Sequence, residues 1–214
     1  LVTVAAIGAV IVASKLSKIN TVKLDTDKLS VSKEAKKRGS GYLNVALFGV
    51  DSRDNDLDKG TRSDTIMIAS LNKKTMKVKI ASIYRDTLSE QEDGTLNKIN
   101  AAYSYGGPEG ALSVLNKNLD MNIEHYVTVN FNSMIDIVDS VGGIDIDVQE
   151  DEMPYICGYV QEIMKVTGKL SPGVTEPGTQ TLNGVQATAY ARIRYTSEMI
   201  SNVQKGSGRF CRKL

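Results

Sequence analysis

The sequence predicts a single α/β domain, and three observations carry that prediction. Apolar runs of strand length alternate along the chain with segments of helical period. Gly-Gly pairs and polar turns punctuate them, and short motifs of Arg and Asp adjoin the ends of the strand runs. At 214 residues the chain is long enough for one sizeable core and too short for two ordinary domains.

Leu1 to Ala13 is an uncharged apolar run followed by Lys15 and Lys18, in a chain that does not begin with Met. Residues 1–14 are therefore expected to be the tail of a transmembrane helix, the alternative being a buried core helix. Residues 15–41, rich in Lys, Ser, Thr and Asp with few large apolar side chains, are expected to form a polar, solvated linker, with the domain occupying 42–214.

Within the domain, the run Leu43 to Val50 reads as a buried strand opening into a polar loop over Asp51 to Thr61. Thr65–Leu71 and Val78–Ile83 are two further strands joined by the turn Asn72-Lys-Lys-Thr75. Lys98–Tyr105 is expected to be a helix closed by Gly106-Gly107, with Pro108 in the first turn of a second helix over Glu109–Asn118. His125–Phe131 reads as a strand, Asn132 as the start of a helix over Met134–Val141 stopped by Gly142-Gly143, and Ile144–Val148 as an alternating strand. Gln149–Pro177 reads as an excursion over the surface with a short helix near Val160–Val166. A last helix is expected over Leu182–Ala191.

Charge is balanced: 26 Lys and Arg against 25 Asp and Glu leave a net charge of +1, so no overall field draws the chain to nucleic acid or an anionic membrane. Any anion site must be local. Cys157 and Cys211 lack zinc-site spacing, and a disulfide or two free thiols both remain open. His125, the one histidine, lies inside a strand pattern with no nucleophile setting near it, which argues against a hydrolase triad. The glycines form neither a phosphate loop nor a dinucleotide fingerprint.

What remains is an arginine and aspartate constellation: Asp51-Ser-Arg53, Arg62-Ser-Asp64 and Arg85-Asp86, each beside a strand, with Arg192 and Arg194 after the last helix. If the second and third strands pair antiparallel, Arg62 and Asp64 meet Arg85 and Asp86 at one sheet edge, and Asp51 and Arg53 join them if the first strand runs parallel to the third. Arg192 and Arg194 can reach one ligand only where the helix ends. Guanidinium groups recognise phosphate in bidentate fashion, and carboxylates among them point to a divalent cation. Phosphoryl transfer uses such groups for positioning and charge neutralisation. Any one of these pairs taken alone reads first as a surface or strand-end salt bridge; three of them with Arg192 and Arg194 shift the reading. Asn97-Lys98-Ile-Asn100 either places an ammonium and an amide at a phosphate or caps a helix.

Eight ordered motifs resemble the LytR-CpsA-Psr family: Phe48-Gly-Val-Asp-Ser-Arg53, Thr61-Arg-Ser-Asp-Thr65, Tyr84-Arg-Asp-Thr87, Lys98-Ile-Asn-Ala-Ala-Tyr103, Tyr105-Gly-Gly107, Val141-Gly-Gly-Ile-Asp-Ile-Asp-Val148, Gln180-Thr-Leu-Asn-Gly184 and Ala191-Arg-Ile-Arg194. The resemblance implies a central mixed sheet flanked by helices on both faces, with a hydrophobic tunnel for a polyprenyl chain. It implies a membrane-anchored, extracytoplasmic phosphotransferase of a Gram-positive cell envelope, moving an anionic glycopolymer of wall teichoic acid or capsule type from a polyprenyl-pyrophosphate carrier to peptidoglycan. Asp51 and Asp64 then look like Mg²⁺ ligands. Arg53, Arg62, Arg85, Arg192, Arg194 and Arg209 resemble pyrophosphate-binding arginines, Asp86 an orienter of Arg85, and Lys98, Asn100 and Gln180 supporting polar groups. Among these, Asp51, Arg62, Asp64, Arg85, Asp86 and Arg192 are the expected catalytic set. A lipid-binding regulatory module and a polyprenyl-pyrophosphate pyrophosphatase are the alternatives. Two features depart from the family pattern. Tyr84 stands where proline is usual, and Arg209-Phe-Cys-Arg-Lys213 lacks the usual upstream aspartate and ends in Lys where Gln is expected. The C-terminal part of the domain is accordingly read as truncated.

Overall fold

A computed structural model describes residues 22–50 and 60–193. The apolar run 1–14, together with Asp51, Arg53, Arg194, Arg209 and Cys211, lies outside the described residues. No helix among the described residues is long and apolar enough to cross a membrane.

Four strands make the central sheet in the order β3-β2-β1-β6: β1 (Tyr42–Val50), β2 (Ser63–Asn72), β3 (Val78–Ile83) and β6 (His125–Val129). β2 is antiparallel to both β1 and β3, and β6 is parallel to β1, so the sheet is mixed as expected. The strict alternation of burial along β1 sends Asn44, Ala46, Phe48 and Val50 to one face, where Ile66 and Ile68 of β2 join them. A helix, α2 (Ala101–Leu119), covers that face with Ala111, Leu112, Val114 and Leu115. Phe48 meets Tyr103 edge-to-face at 5.2 Å and 66°, an arrangement that contributes about 0.5–1.5 kcal/mol beyond area burial.

The sequence anticipates two helices here, and the observed α2 is one helix broken at Gly107, whose φ of 64° and ψ of −156° only glycine adopts without strain. Lys98 belongs to neither half. It ends a short strand, β5 (Leu96–Lys98), paired with β4 (Leu88–Glu90), because Thr87 and Arg85 carbonyls accept from the Ile99 and Asn100 amides and hold the segment extended.

The segment expected to be a solvated linker folds back onto the domain over the part that is described. Ser32 caps α1 (Lys33–Gly39), Leu29 is fully buried in the sheet–α2 core, and Leu24 and Val31 pack beside it. Buried Asn116 anchors this return, donating through Nδ2 to the carbonyls of Leu29 (2.9 Å) and Ile123 (3.0 Å) and accepting from the Ile123 amide at 2.7 Å.

Beyond β6 the boundary differs by a few residues: Asn130, not Asn132, caps α3 (Phe131–Ser140), its side chain accepting from the Ser133 amide. β7 (Ile144–Val148) is present as expected but pairs only with β8 (Gly178–Leu182), outside the central sheet. The stretch Gln149–Pro177 is not a surface excursion. It holds α4 (Met153–Thr167), 15 residues long, which buries Ile156, Val160 and Ile163. These pack with α3 and α5 (Gly184–Tyr190) into a second core. Pro154 in the first turn and Gly158 mid-helix weakened the helical signal, but three apolar side chains at i, i+4 and i+7 supply a packing stripe.

The second face of the central sheet contributes to neither core. Val45 and Leu47 of β1, Met67 and Ala69 of β2, Ile80 of β3 and Val127 of β6 share it by register, and they are half-buried to exposed.

Candidate functional site

Of the expected site residues, Arg62, Asp64, Arg85, Asp86, Lys98 and Asn100 gather at one end of the central sheet, while Asp51, Arg53, Arg194 and Arg209 lie outside the described residues. β1, β3 and β6 run in the same direction, and their last residues, Val50, Ile83 and Val129, lie beside the start of β2 at Ser63. A β-bulge between Gly49 and Val50 turns the edge of β1 at this point. Three inter-strand steps of about 4.8 Å place the ends of β3 and β6 about 14 Å apart. Crevices beyond the carboxyl ends of strands are where open α/β sheets bind ligands.

At the β2–β3 side the sequence expectation is met: the Arg85 guanidinium pairs with the Asp64 carboxylate, linking the residue that enters β2 to the one that leaves β3. Arg85 Nε stands 3.8 Å from Asp86, and Asp86 in turn takes the Lys98 ammonium at 2.7 Å. The carboxylate nearest Arg85 is thus that of Asp64, while Asp86 is held by Lys98. The Lys98 hydrogen bond, opposed by desolvation and aided by the smaller charge effects of Lys98, Arg85 and Arg62, holds the Asp86 carboxyl below its usual range. Arg62 is exposed beside this chain of charges.

Asn100 sits at the cap position of α2 without making a cap hydrogen bond, and its amide N–H donates to the Arg85 carbonyl at 3.2 Å. Its buried Oδ1 has no partner among the described residues, as is true of Ser63 Oγ and Thr61 Oγ1 in the arginine motif. Unpartnered buried acceptors and hydroxyls are costly, and their concentration beside a charged cluster is characteristic of a functional site. Ser63 was legible in principle, since a strand alternation that exposes Arg62 and Asp64 must turn Ser63 inward.

Arg192 and Gln180 each stand apart from the Arg85 cluster. α5 ends at Tyr190, which satisfies the condition for Arg192 to leave the helix. Its guanidinium lies 5.3 Å from the Phe131 ring centroid and 5.2 Å from that of Tyr159, and pairs with Glu162 at 3.1 Å. Phe131 follows β6, so Arg192 is carried to the same end of the sheet as Arg85, with no direct contact between them. Glu162, Phe131 and Tyr159 were not foreseen, because nothing in local spacing links them to Arg192. Gln180, on β8, donates to the Glu176 carbonyl at 2.6 Å and makes no contact with the Arg85 cluster.

No group of three or more potential metal ligands occurs among the described residues. Asp64, with a side chain 42% exposed, supplies hard oxygen donors at the ligand-facing edge. A single carboxylate of this kind, or two with Asp51, suits Mg²⁺, which is commonly held by one or two carboxylates and completed by phosphate oxygens and water.

Comparison with known proteins agrees with the fold. The chain is 39% identical over 169 residues to the polyisoprenyl-teichoic acid–peptidoglycan teichoic acid transferase TagU of Bacillus cereus, covering 77% of this chain and 48% of that protein. It is 35% identical over 155 residues to the corresponding transferase TagV of Bacillus subtilis, covering 71% and 37%. The chain thus spans less than half the length of these relatives. The structure of TagT (YwtF) of Bacillus subtilis with bound octaprenyl pyrophosphate superposes with a TM-score of 0.56 at 25% identity, over 88% of this chain and 69% of that one. The model of the LytR_cpsA_psr family matches residues 8–203, and the chain belongs to the LytR-CpsA-Psr family.

Proposed function

We propose that this protein transfers a phosphate-linked anionic glycopolymer, of wall teichoic acid or capsule type, from a polyprenyl-pyrophosphate carrier to peptidoglycan. One observation carries the reading: a row of arginines and carboxylates lies along the end of a sheet whose second face is apolar and left out of both cores. A lipid pyrophosphate has this division of chemistry, an apolar chain joined to a multiply charged head. The names of TagU and TagV, and the octaprenyl pyrophosphate in TagT, support the same assignment.

In this reaction an acceptor hydroxyl oxygen attacks the phosphorus that bears the glycopolymer. The bond from that phosphorus to the bridging oxygen breaks, and polyprenyl phosphate leaves with the electron pair. Arg85 and Arg62 on one side and Arg192 on the other bind and orient the pyrophosphate, countering charge on its oxygens. The stacking of Arg192 between Phe131 and Tyr159 pre-orients its fork. Lys98 keeps Asp86 ionised, and the hydroxyl proton passes to a site carboxylate. Arg53, Arg194 and Arg209 belong to the same binding set in this reading. Asp64 and Asp51 would hold Mg²⁺, which when bound supplies further neutralisation of phosphate charge. The run 1–14 would tether the domain to the outer face of the cell membrane.

The test is transfer from a lipid-linked donor to peptidoglycan with purified protein, alongside native mass spectrometry for retained octaprenyl pyrophosphate. Arg85→Ala and Arg192→Ala should each abolish transfer. Unchanged turnover in both overturns the proposal. Phosphate release without acceptor would instead indicate a pyrophosphatase, and lipid binding without transfer under any metal would indicate a binding module.

A further inference from the structure

A cleft of about 180 Å³ opens between the β4–β5 turn and the broken part of α2. It is smaller than the pockets of several hundred Å³ that enclose whole drug-sized ligands, and has room for a single ring. Its polar lining is built of acceptors. Gln91, only 4% exposed, gives both its Nε2 hydrogens to Ser89, to the backbone carbonyl at 3.4 Å and to Oγ at 3.0 Å. A carbonyl can only accept, which fixes the amide orientation, and Gln91 Oε1 receives no donor among the described residues. Glu92 also lines the cleft and takes no hydrogen bond among the described residues, whereas Asp93 uses its carboxylate on the amide and hydroxyl of Thr95 to shape the turn.

The apolar part of the lining is as specific. Tyr105, 65% exposed, flanks the opening, and its hydroxyl accepts from Asn97 Nδ2 at 3.5 Å. Gly106 and Gly110 form the floor: a Cβ on either would stand 3.7 or 3.8 Å from the Glu92 carboxylate, so any larger side chain would enter the cleft. Acceptors on one side, an exposed aromatic ring on the other and a bare backbone floor suit a ring that presents hydroxyl or amide donors together with a C–H face. The carboxylate repels phosphate, so the cleft does not compete for the pyrophosphate.

We propose that this cleft is a subsite for an uncharged pyranose of the glycan that the transferase handles. The identity of that glycan rests on the function proposed above; sugar binding at the cleft does not. The two sites share β5, since Asn97 reaches Tyr105 and the adjacent Lys98 reaches Asp86. A saccharide seated in the cleft is therefore held beside the reacting phosphate. It comes either from the acceptor strand or from the donor's linkage sugars.

The experiment is a ¹H–¹⁵N NMR titration of the full chain with chitotetraose, a soluble N-acetylglucosamine tetramer. Saturable shifts are expected at the Gly94, Gly106 and Gly110 amides. Tyr105→Ala and Gly106→Leu should each weaken binding by about tenfold, the scale of one lost aromatic contact, with octaprenyl pyrophosphate binding unchanged as the check on folding. No shift at these amides, or equal affinity in both variants, overturns the proposal. So does a response of the same amides to MgCl₂ or CaCl₂ alone that disappears in Glu92→Gln, since that outcome makes the cleft a cation site. In the transfer assay, a raised KM for peptidoglycan assigns the sugar to the acceptor and a raised KM for the lipid-linked donor assigns it to the donor; no change in either, in an active enzyme, also overturns it. Absence of transfer and lipid binding in the unmodified protein would defeat the function proposal alone, because the sugar titration does not depend on it.

Discussion

Arg85 and Asp64, 21 residues apart in sequence, form an ion pair across the end of the β2–β3 ladder, two residues beyond Ile83 and two before Ile66, which face each other in register. Both side chains are more than one-third exposed, so the pair adds at most about 1 kcal/mol to folding. In the proposed function its worth is in binding. Arg85→Lys keeps the charge and loses the planar fork, and should weaken octaprenyl pyrophosphate by about tenfold or more while the thermal midpoint scarcely moves. Calorimetric titration and a melting curve separate these two effects, and a large fall in midpoint with intact binding would mark the pair as merely structural.

Asp86 provides a pH signature. Its carboxyl lies below the ordinary value of 3.8, chiefly through the Lys98 hydrogen bond. A carboxylate depressed in the folded state stabilises it at pH values above the unfolded pKa, and that contribution disappears as the pH falls through the folded pKa. Lys98→Met should bring the Asp86 titration back up toward its ordinary range, read by carboxyl ¹³C NMR, with Arg85 and Arg62 retaining part of the depression.

The return of the N-terminal segment onto the core can be tested by truncating its anchor. Leu29→Ala should cost about 2–5 kcal/mol in urea unfolding, as for a fully buried leucine. Asn116→Ala strands the Leu29 carbonyl and both backbone groups of Ile123, at about 1–3 kcal/mol for each unsatisfied group. A solvated stalk would leave the Leu29 variant unchanged.

Gly184 permits the contact between α3 and α5. A Cβ there would stand 2.3 Å from the Ile135 carbonyl oxygen and 2.7 Å from its Cα, both backbone atoms that cannot swing aside. Gly184→Ala should therefore destabilise the second core by about 1–3 kcal/mol or more, and shift the Tyr190 and Ile135 resonances.

Much of the fold was legible locally. The continuous apolar run Leu43–Val50 and the strand-length run Val78–Ile83 marked strands, and the polar turn at Asn72 announced the hairpin that unites Arg62, Asp64, Arg85 and Asp86. The segments misread were those whose state depends on distant partners. Lys98 became a strand residue because the Arg85 and Thr87 carbonyls engage the backbone after it, and Gln149–Pro177 gained a 15-residue helix because α3 and α5 offer it a core.

The sequence by itself determined the α/β class, the family and the presence of an Arg/Asp set at strand ends, since these depend on periodicity and on residue order. Only the tertiary structure decided which carboxylate each cation takes: Asp64 for Arg85, Asp86 for Lys98, and Glu162 with two aromatic rings for Arg192. It also left the apolar side chains of one sheet face outside both cores among the described residues. Ion pairing and burial depend on distances between residues far apart in the chain, and those distances exist only once the strands have found their neighbours.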